Sequence, residues 1–180
     1  MRATSDASKI ERLMQGIGRL ANGPGRVYLV GGASAVMIGW RPTTIDADLK
    51  LDPEPQGVFD AIAKLKAELD MNVELAAPDD FIPPVPGWKE RSTFIVRHGQ
   101  VDFFHYDFYA QALAKIERGH TTDLEDARQM AVRGLIDVVE LARQFDAIAP
   151  DIVRYPAIDP DAFRAKVEGF VAGTIHASAK

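Results

Sequence analysis

Thr44-Ile45-Asp46-Ala47-Asp48-Leu49-Lys50-Leu51 alternates polar and apolar residues. A period of two is the signature of a half-buried β-strand. It turns Ile45, Ala47, Leu49 and Leu51 toward a core. Asp46 and Asp48 then share the opposite face, roughly 6–7 Å apart along the strand. Two carboxylates side by side repel each other unless a cation lies between them. A hard divalent ion such as Mg²⁺, held by one or two carboxylates plus substrate phosphates, relieves that repulsion. A solvated strand face that carries two acids accounts for the same pattern without any ion, since Asp is depleted in strands but not absent.

The residues upstream add a second feature. Arg26-Val27-Tyr28-Leu29-Val30 reads as a short strand, Gly31-Gly32 ends it, and Ala33-Ser34-Ala35-Val36-Met37-Ile38 is helix-compatible. A strand, a diglycine and a helix start bring backbone N–H groups to a helix N-terminus, which attracts anions and phosphates in particular. Ser34 adds a hydroxyl in the first turn. A lone Gly-Gly is more often only a tight turn. Here the cradle lies about a dozen residues before the acidic pair, and nucleoside triphosphates travel with Mg²⁺.

These blocks (Gly31-Gly32-Ala33-Ser34, Gly39-Trp40-Arg41-Pro42-Thr43-Thr44 and Asp46-Ala47-Asp48-Leu49) resemble the nucleotidyltransferase signature of the DNA polymerase β superfamily. The closest likeness is to small bacterial nucleotidyltransferase-like proteins, including toxin-type enzymes related to the AbiEii abortive-infection protein. The likeness spans about residues 26–133. It implies an α/β (α+β) fold with a small mixed β-sheet core flanked by helices and followed by a C-terminal helical part. It also implies two Mg²⁺ ions, an NTP substrate, a third carboxylate on a later strand, and nucleotide contacts from Gly31, Gly32, Ser34 and Arg41.

Asp102 is the candidate for that third carboxylate. Residues 92–97 and 101–106 read as two strands joined through His98-Gly99-Gln100, a hairpin signal. An Asp amid Val101, Phe103 and Phe104 needs a partner, because buried charge is costly unless paired or metal-bound. The alternative partner is Arg97 or Arg91 across the hairpin. With Asp102 as the third ligand, Asp46, Asp48 and Asp102 are both the metal-binding and the catalytic set. His105 follows the two phenylalanines and is expected to approach Asp102.

A further block runs from Lys115 to Ala127. By the resemblance, Lys115 contacts the triphosphate, while Arg118 pairs with Asp123 or Asp126. A structural reading stands beside it. Thr122 and Glu125 have capping-box spacing, and Asp123 sits in a first helical turn, where acids favour the dipole.

Composition sets outer bounds. The 180 residues suit one domain, or a core at 1–106 with a helical part at 107–180 packed against it. With no cysteine there are no disulfides, zinc thiolates or thiol nucleophile. No apolar run is long enough to span a membrane, and the N-terminus lacks a signal core, so a cytoplasmic setting is expected. A net charge of −5 gives no general attraction to nucleic acid. No histidine pair has metal-ligand spacing, Ser34 lacks a nucleophile elbow, and the third glycine of a dinucleotide fingerprint is missing.

Helical spacing marks residues 6–21 and 55–70, and Val73-Glu74-Leu75 reads as a short strand. The proline-rich stretch 78–88, with Phe81 and Trp88 expected at the surface, reads as a loop. Helices follow over 107–118, 122–132 and 134–148. Asp159-Pro160 starts a last helix to about Val171, with residues 173–180 expected to fray. The function implied is Mg²⁺-dependent transfer of a nucleoside monophosphate to a hydroxyl of tRNA, protein or a small molecule. An antitoxin partner is implied by the resemblance alone. The competing class is a non-catalytic nucleotide- or partner-binding module on the same fold.

Overall fold

The computed structural model describes residues 3–178, and the chain forms two compact units. The first comprises residues 1–77 and 92–106, the second residues 78–91 and 107–180. The grouping differs from a single cut at 106 in that the proline-rich stretch and the short helix after it belong with the C-terminal helices.

The first unit is a mixed sheet with helices on one face, as the sequence predicts. Helix α1 (Ala7–Leu20) precedes β1 (Gly25–Val30), α2 (Gly31–Ile38), β2 (Asp46–Leu51), α3 (Val58–Leu69) and β3 (Asn72–Leu75). The hairpin β4 (Thr93–His98) and β5 (Val101–His105) completes it. The strand order is β3-β2-β1-β5-β4. β1 is antiparallel to β2 and parallel to β5, β2 is parallel to β3, and β4 is antiparallel to β5.

Period-two alternation sorts the side chains of β2 and β5 between the two faces. Val27, Leu29, Ala47, Leu49, Val73, Val101 and Phe103 enter one core with Ile10, Leu13, Met14 and Ile17 of α1 and Val58, Ile62, Leu65 and Leu69 of α3. Burying each large apolar side chain contributes about 1.5–3 kcal/mol. Asp6 caps α1, its Oδ1 accepting from the Lys9 N–H at 2.9 Å. Ile45 departs from expectation: it precedes the strand and is 48% exposed instead of facing the core.

The second unit is helical. It contains α4 (Trp88–Arg91), α5 (Phe108–Arg118), α6 (Thr121–Val132), α7 (Val138–Ile148) and α8 (Pro160–Ser178). Asp159 does cap α8, accepting from the Asp161 and Ala162 N–H groups at 3.0 and 2.9 Å. That helix continues through Ser178, past the predicted end at Val171, while residues 179 and 180 of the expected frayed tail lie outside the described residues. Phe81 is exposed as expected, but Trp88 is half-buried. The capping box is not formed: α6 begins at Thr121, with His120 at the cap position and no side-chain cap bond.

An ion cluster joins α5 to α6. The Lys115 ammonium donates to Asp126 Oδ2 at 2.7 Å and Asp123 Oδ1 at 3.1 Å, and Arg118 donates to the same Asp123 oxygen at 2.6 Å. Burial alone would raise the Asp123 carboxyl, but Lys115 and Arg118 hold it below the usual carboxylate range. Lys115→Met is expected to cost about 3–5 kcal/mol in chemical denaturation, because it strands buried carboxylates. Adding Asp126→Leu should recover part of that loss.

Candidate functional site

Four bonds and one close approach build the turn between β1 and β2. The Ser5 N–H donates to the Thr44 carbonyl at 2.7 Å, and the Thr44 N–H donates back to Ser5 at 2.9 Å. The Thr44 hydroxyl donates to the Asp46 carbonyl at 2.9 Å. The Ser34 hydroxyl donates to the Leu29 carbonyl at 2.9 Å, tying the first turn of α2 to β1. Thr44 also lies against Gly32: a Cβ at that glycine would come within 2.1 Å of Thr44 Oγ1 and 2.8 Å of its Cβ.

This packing sets the α2 N-terminus over β2. Val30 pairs with Asp48 across the antiparallel ladder, so Asp48 stands beside the strand end where α2 begins. Gly31 has φ +55°, a left-handed conformation that glycine adopts at little cost, and a Cβ there would lie 3.3 Å from Asp48 Oδ2. A carboxylate-bearing strand and a helix N-terminus therefore meet. Asp46 and Asp48 are both half-buried on the sheet face opposite the helices.

Two residues of β3 share that face and escaped the sequence reading. Asn72 pairs in register with Asp46, and Glu74 with Asp48. The Asn72 amide donates to Asp46 Oδ1 at 2.6 Å and to Glu74 Oε1 at 2.8 Å. The run Asn72-Val73-Glu74-Leu75 has the same alternation as β2, the one signal that could have put both on the acidic face. Its parallel pairing beside β2 is not written in a four-residue strand.

Asp102 is not brought to the acidic pair. Strand β1 separates β5 from β2, and Asp102 is in register with Arg26, four residues along β1 from the Val30 that faces Asp48. That offset is roughly 13 Å along the strand, with two strand spacings of about 4.8 Å across it. Its carboxylate instead meets the Arg97 fork across the hairpin, at 2.6 and 2.8 Å. The hydrogen bonds from Arg97 hold it below the usual carboxylate range. The alternative partner weighed in the sequence is the one observed.

Ser34 and Lys115 also differ from their expected roles. Ser34 is fully buried, and its single proton is committed to Leu29. Lys115 is 6% exposed and its ammonium is held by Asp123 and Asp126. Arg41 is half-buried in the link after α2, its N–H 3.4 Å from the Ala35 carbonyl. Among the described residues, no group of three His, Asp or Glu side chains is placed to hold a metal ion. Asp46 and Asp48 on one face suit a single Mg²⁺ that also takes phosphate oxygens; the three-carboxylate set is not assembled.

His105 points away from Asp102, into the helix-covered face. Its Nδ1 is 2.9 Å from Ser34 Oγ. With the serine proton directed at the Leu29 carbonyl, the tautomer that carries its hydrogen on Nδ1 completes the contact. Burial pushes the imidazole down from 6.5 to about 4. The unfolded chain therefore binds a proton that the folded chain refuses across that window, and stability falls as pH drops from 6.5 to about 4.

Two measurements check this geometry. Urea titrations at several pH values should show the wild type losing up to about 3 kcal/mol more than His105→Gln across that window. Gly32→Ala should destabilise the fold by about 1–3 kcal/mol through its clash with Thr44. A side chain at Gly32 meets Thr44 before it meets any ligand, so a change there acts on the fold as well as on phosphate approach.

The sequence profile of a family described as nucleotidyltransferases of unknown function (DUF6036) matches residues 8–161. No curated protein and no solved structure gives a significant match. No helix among the described residues is long and apolar enough to cross a membrane. The profile covers β1, α2 and β2 entire and runs on through α7 to the start of α8, and the chain belongs to this family of nucleotidyltransferases of unknown function.

Proposed function

We propose that the protein transfers a nucleoside monophosphate from an NTP to an acceptor hydroxyl, with Asp46 and Asp48 holding the Mg²⁺ that accompanies the triphosphate. The observation that carries this reading is the approach of Asp48 to Gly31, which puts a carboxylate beside the N-terminus of α2. The backbone N–H groups of Gly32 and Ala33 lie in the first turn of α2, where the helix supplies no acceptor of its own, and such groups favour phosphate oxygens. When bound, Mg²⁺ supplies Lewis-acid polarisation of the phosphoryl group.

In the transfer the acceptor oxygen bonds to the α-phosphorus. The bond from that phosphorus to the oxygen bridging it to the β-phosphate breaks, pyrophosphate leaves, and the hydroxyl proton passes to water. Asp46 and Asp48 supply fixed negative charge. The α2 terminus orients the leaving phosphates, and little acid–base chemistry is required of the chain. Asp102, Ser34 and Lys115 have no part in this reading, because each is committed elsewhere. The acceptor classes are tRNA, protein and small molecules, and an antitoxin partner and a cytoplasmic setting accompany the toxin-type resemblance. The absence of a three-carboxylate group among the described residues favours the second reading, a nucleotide-binding module without catalysis.

Incubation with α-³²P-labelled NTPs, Mg²⁺ and total tRNA or cell lysate separates the two. Wild type is expected to label an acceptor, and Asp48→Asn to abolish labelling, because an amide lacks the charge that holds the cation. Stability of Asp48→Asn should change by less than about 1 kcal/mol, since relief of repulsion with Asp46 offsets the lost attraction to the α2 N-terminus. Labelling that survives Asp48→Asn rejects the mechanism. Nucleotide binding without labelling by the wild type favours the module.

A further inference from the structure

We infer that Asn72 is a positioning residue for Asp46, fixing the carboxylate orientation on which cation binding depends. The inference rests on the nucleotidyl-transfer reading above. Asn72 is half-buried on β3, in register with Asp46 on β2. Both of its amide hydrogens find carboxylates, Asp46 Oδ1 at 2.6 Å and Glu74 Oε1 at 2.8 Å. One amide thus separates two like charges and donates to each. The bonds fall on defined oxygens, so they select an Asp46 rotamer.

The chemistry requires an amide at this position. A carboxylate there would donate nothing and would add a third repelling charge between Asp46 and Glu74. An apolar residue would remove both donors and leave the repulsion between Asp46 and Glu74 unbridged. Side chains that hydrogen-bond a ligating group are routinely worth 10–100-fold in metal affinity, because they fix the ligand before the ion arrives. β3 is the edge strand beside β2, and its four residues place Asn72 and Glu74 on the acidic face while Val73 anchors the strand in the core. The short strand therefore both closes the sheet edge and orients the carboxylate beside it.

The test measures Mn²⁺ binding by electron paramagnetic resonance, with each of the four α,β-methylene NTPs present, so that no acceptor is needed. Asn72→Leu keeps the branching at Cγ and removes both donors; Asn72→Ala serves as a second variant should the larger Leu perturb the edge. Glu74→Gln keeps an acceptor for the second amide hydrogen while removing the charge. The inference requires Mn²⁺ affinity roughly tenfold lower in Asn72→Leu and Asn72→Ala. It also requires an unchanged melting temperature and less than a twofold change in Glu74→Gln. Wild-type affinity in both Asn72 variants overturns it. An equal loss in Glu74→Gln also overturns it, assigning the effect to charge. Failure of the wild type to bind Mn²⁺ with any of the analogues rejects the nucleotidyl-transfer reading itself, an outcome distinct from failure at Asn72 alone.

Discussion

The close packing of Thr44 on Gly32 is the constraint on which the acidic site depends. No Cβ fits between them, and Thr44 is fixed from three other directions by its two backbone bonds to Ser5 and its side-chain bond to Asp46. With Thr44 held, the chain enters β2 at a set height relative to the start of α2. The Val30–Asp48 pair follows, and the carboxylate comes to the helix terminus. Propensity alone would not hold an eight-residue α2 there, since isolated helices of that length are marginal in water. The Ser34 bond to Leu29 and the His105 bond to Ser34 fasten the helix instead.

Ser34 and His105 illustrate a division of labour that their residue types conceal. A serine in the first turn after a diglycine reads as a phosphate ligand. Here it is an internal staple, because its hydroxyl points along the strand to Leu29 and meets a buried neutral imidazole. The backbone beside it leaves no room for a side chain at Gly32 and has the Asp48 carboxylate close to Gly31. Buried polar groups inside a core must find partners, and this trio satisfies that demand while anchoring the terminus.

The alternation in Thr44–Leu51 and in Val101–His105 was enough to place side chains on faces. Ala47, Leu49, Val101 and Phe103 are buried, and Asp46, Asp48 and Asp102 are on the opposite face. Strand order was not legible. Period two specifies which way a residue points, and says nothing about which strand lies beside it or at what height. Asp102 shares a face with Asp48 and is still separated from it by β1 and a four-residue offset. Local pairing was the more reliable guide, since Arg97 reaches Asp102 through a two-residue hairpin link that composition alone announces. Lys115 was misjudged for the converse reason: its spacing to Asp123 and Asp126 places all three on facing turns of α5 and α6, where a buried charge takes the nearest opposite charge.

The electrostatics of the acidic face then turn on separation rather than number. Asp46, Asp48 and Glu74 are three carboxylates on adjacent strands, and their mutual repulsion disfavours the fold unless it is screened, bonded or neutralised. The chain answers in two local ways. Asn72 stands between Asp46 and Glu74 as a donor to both. Asp48 leans on the positive end of α2 at Gly31, where a helix dipole favours negative charge. A lysine or arginine in either place would neutralise the pair outright and compete with a divalent cation for the same oxygens. An amide and a helix terminus lower the cost of holding the acids together without placing a further full charge among them.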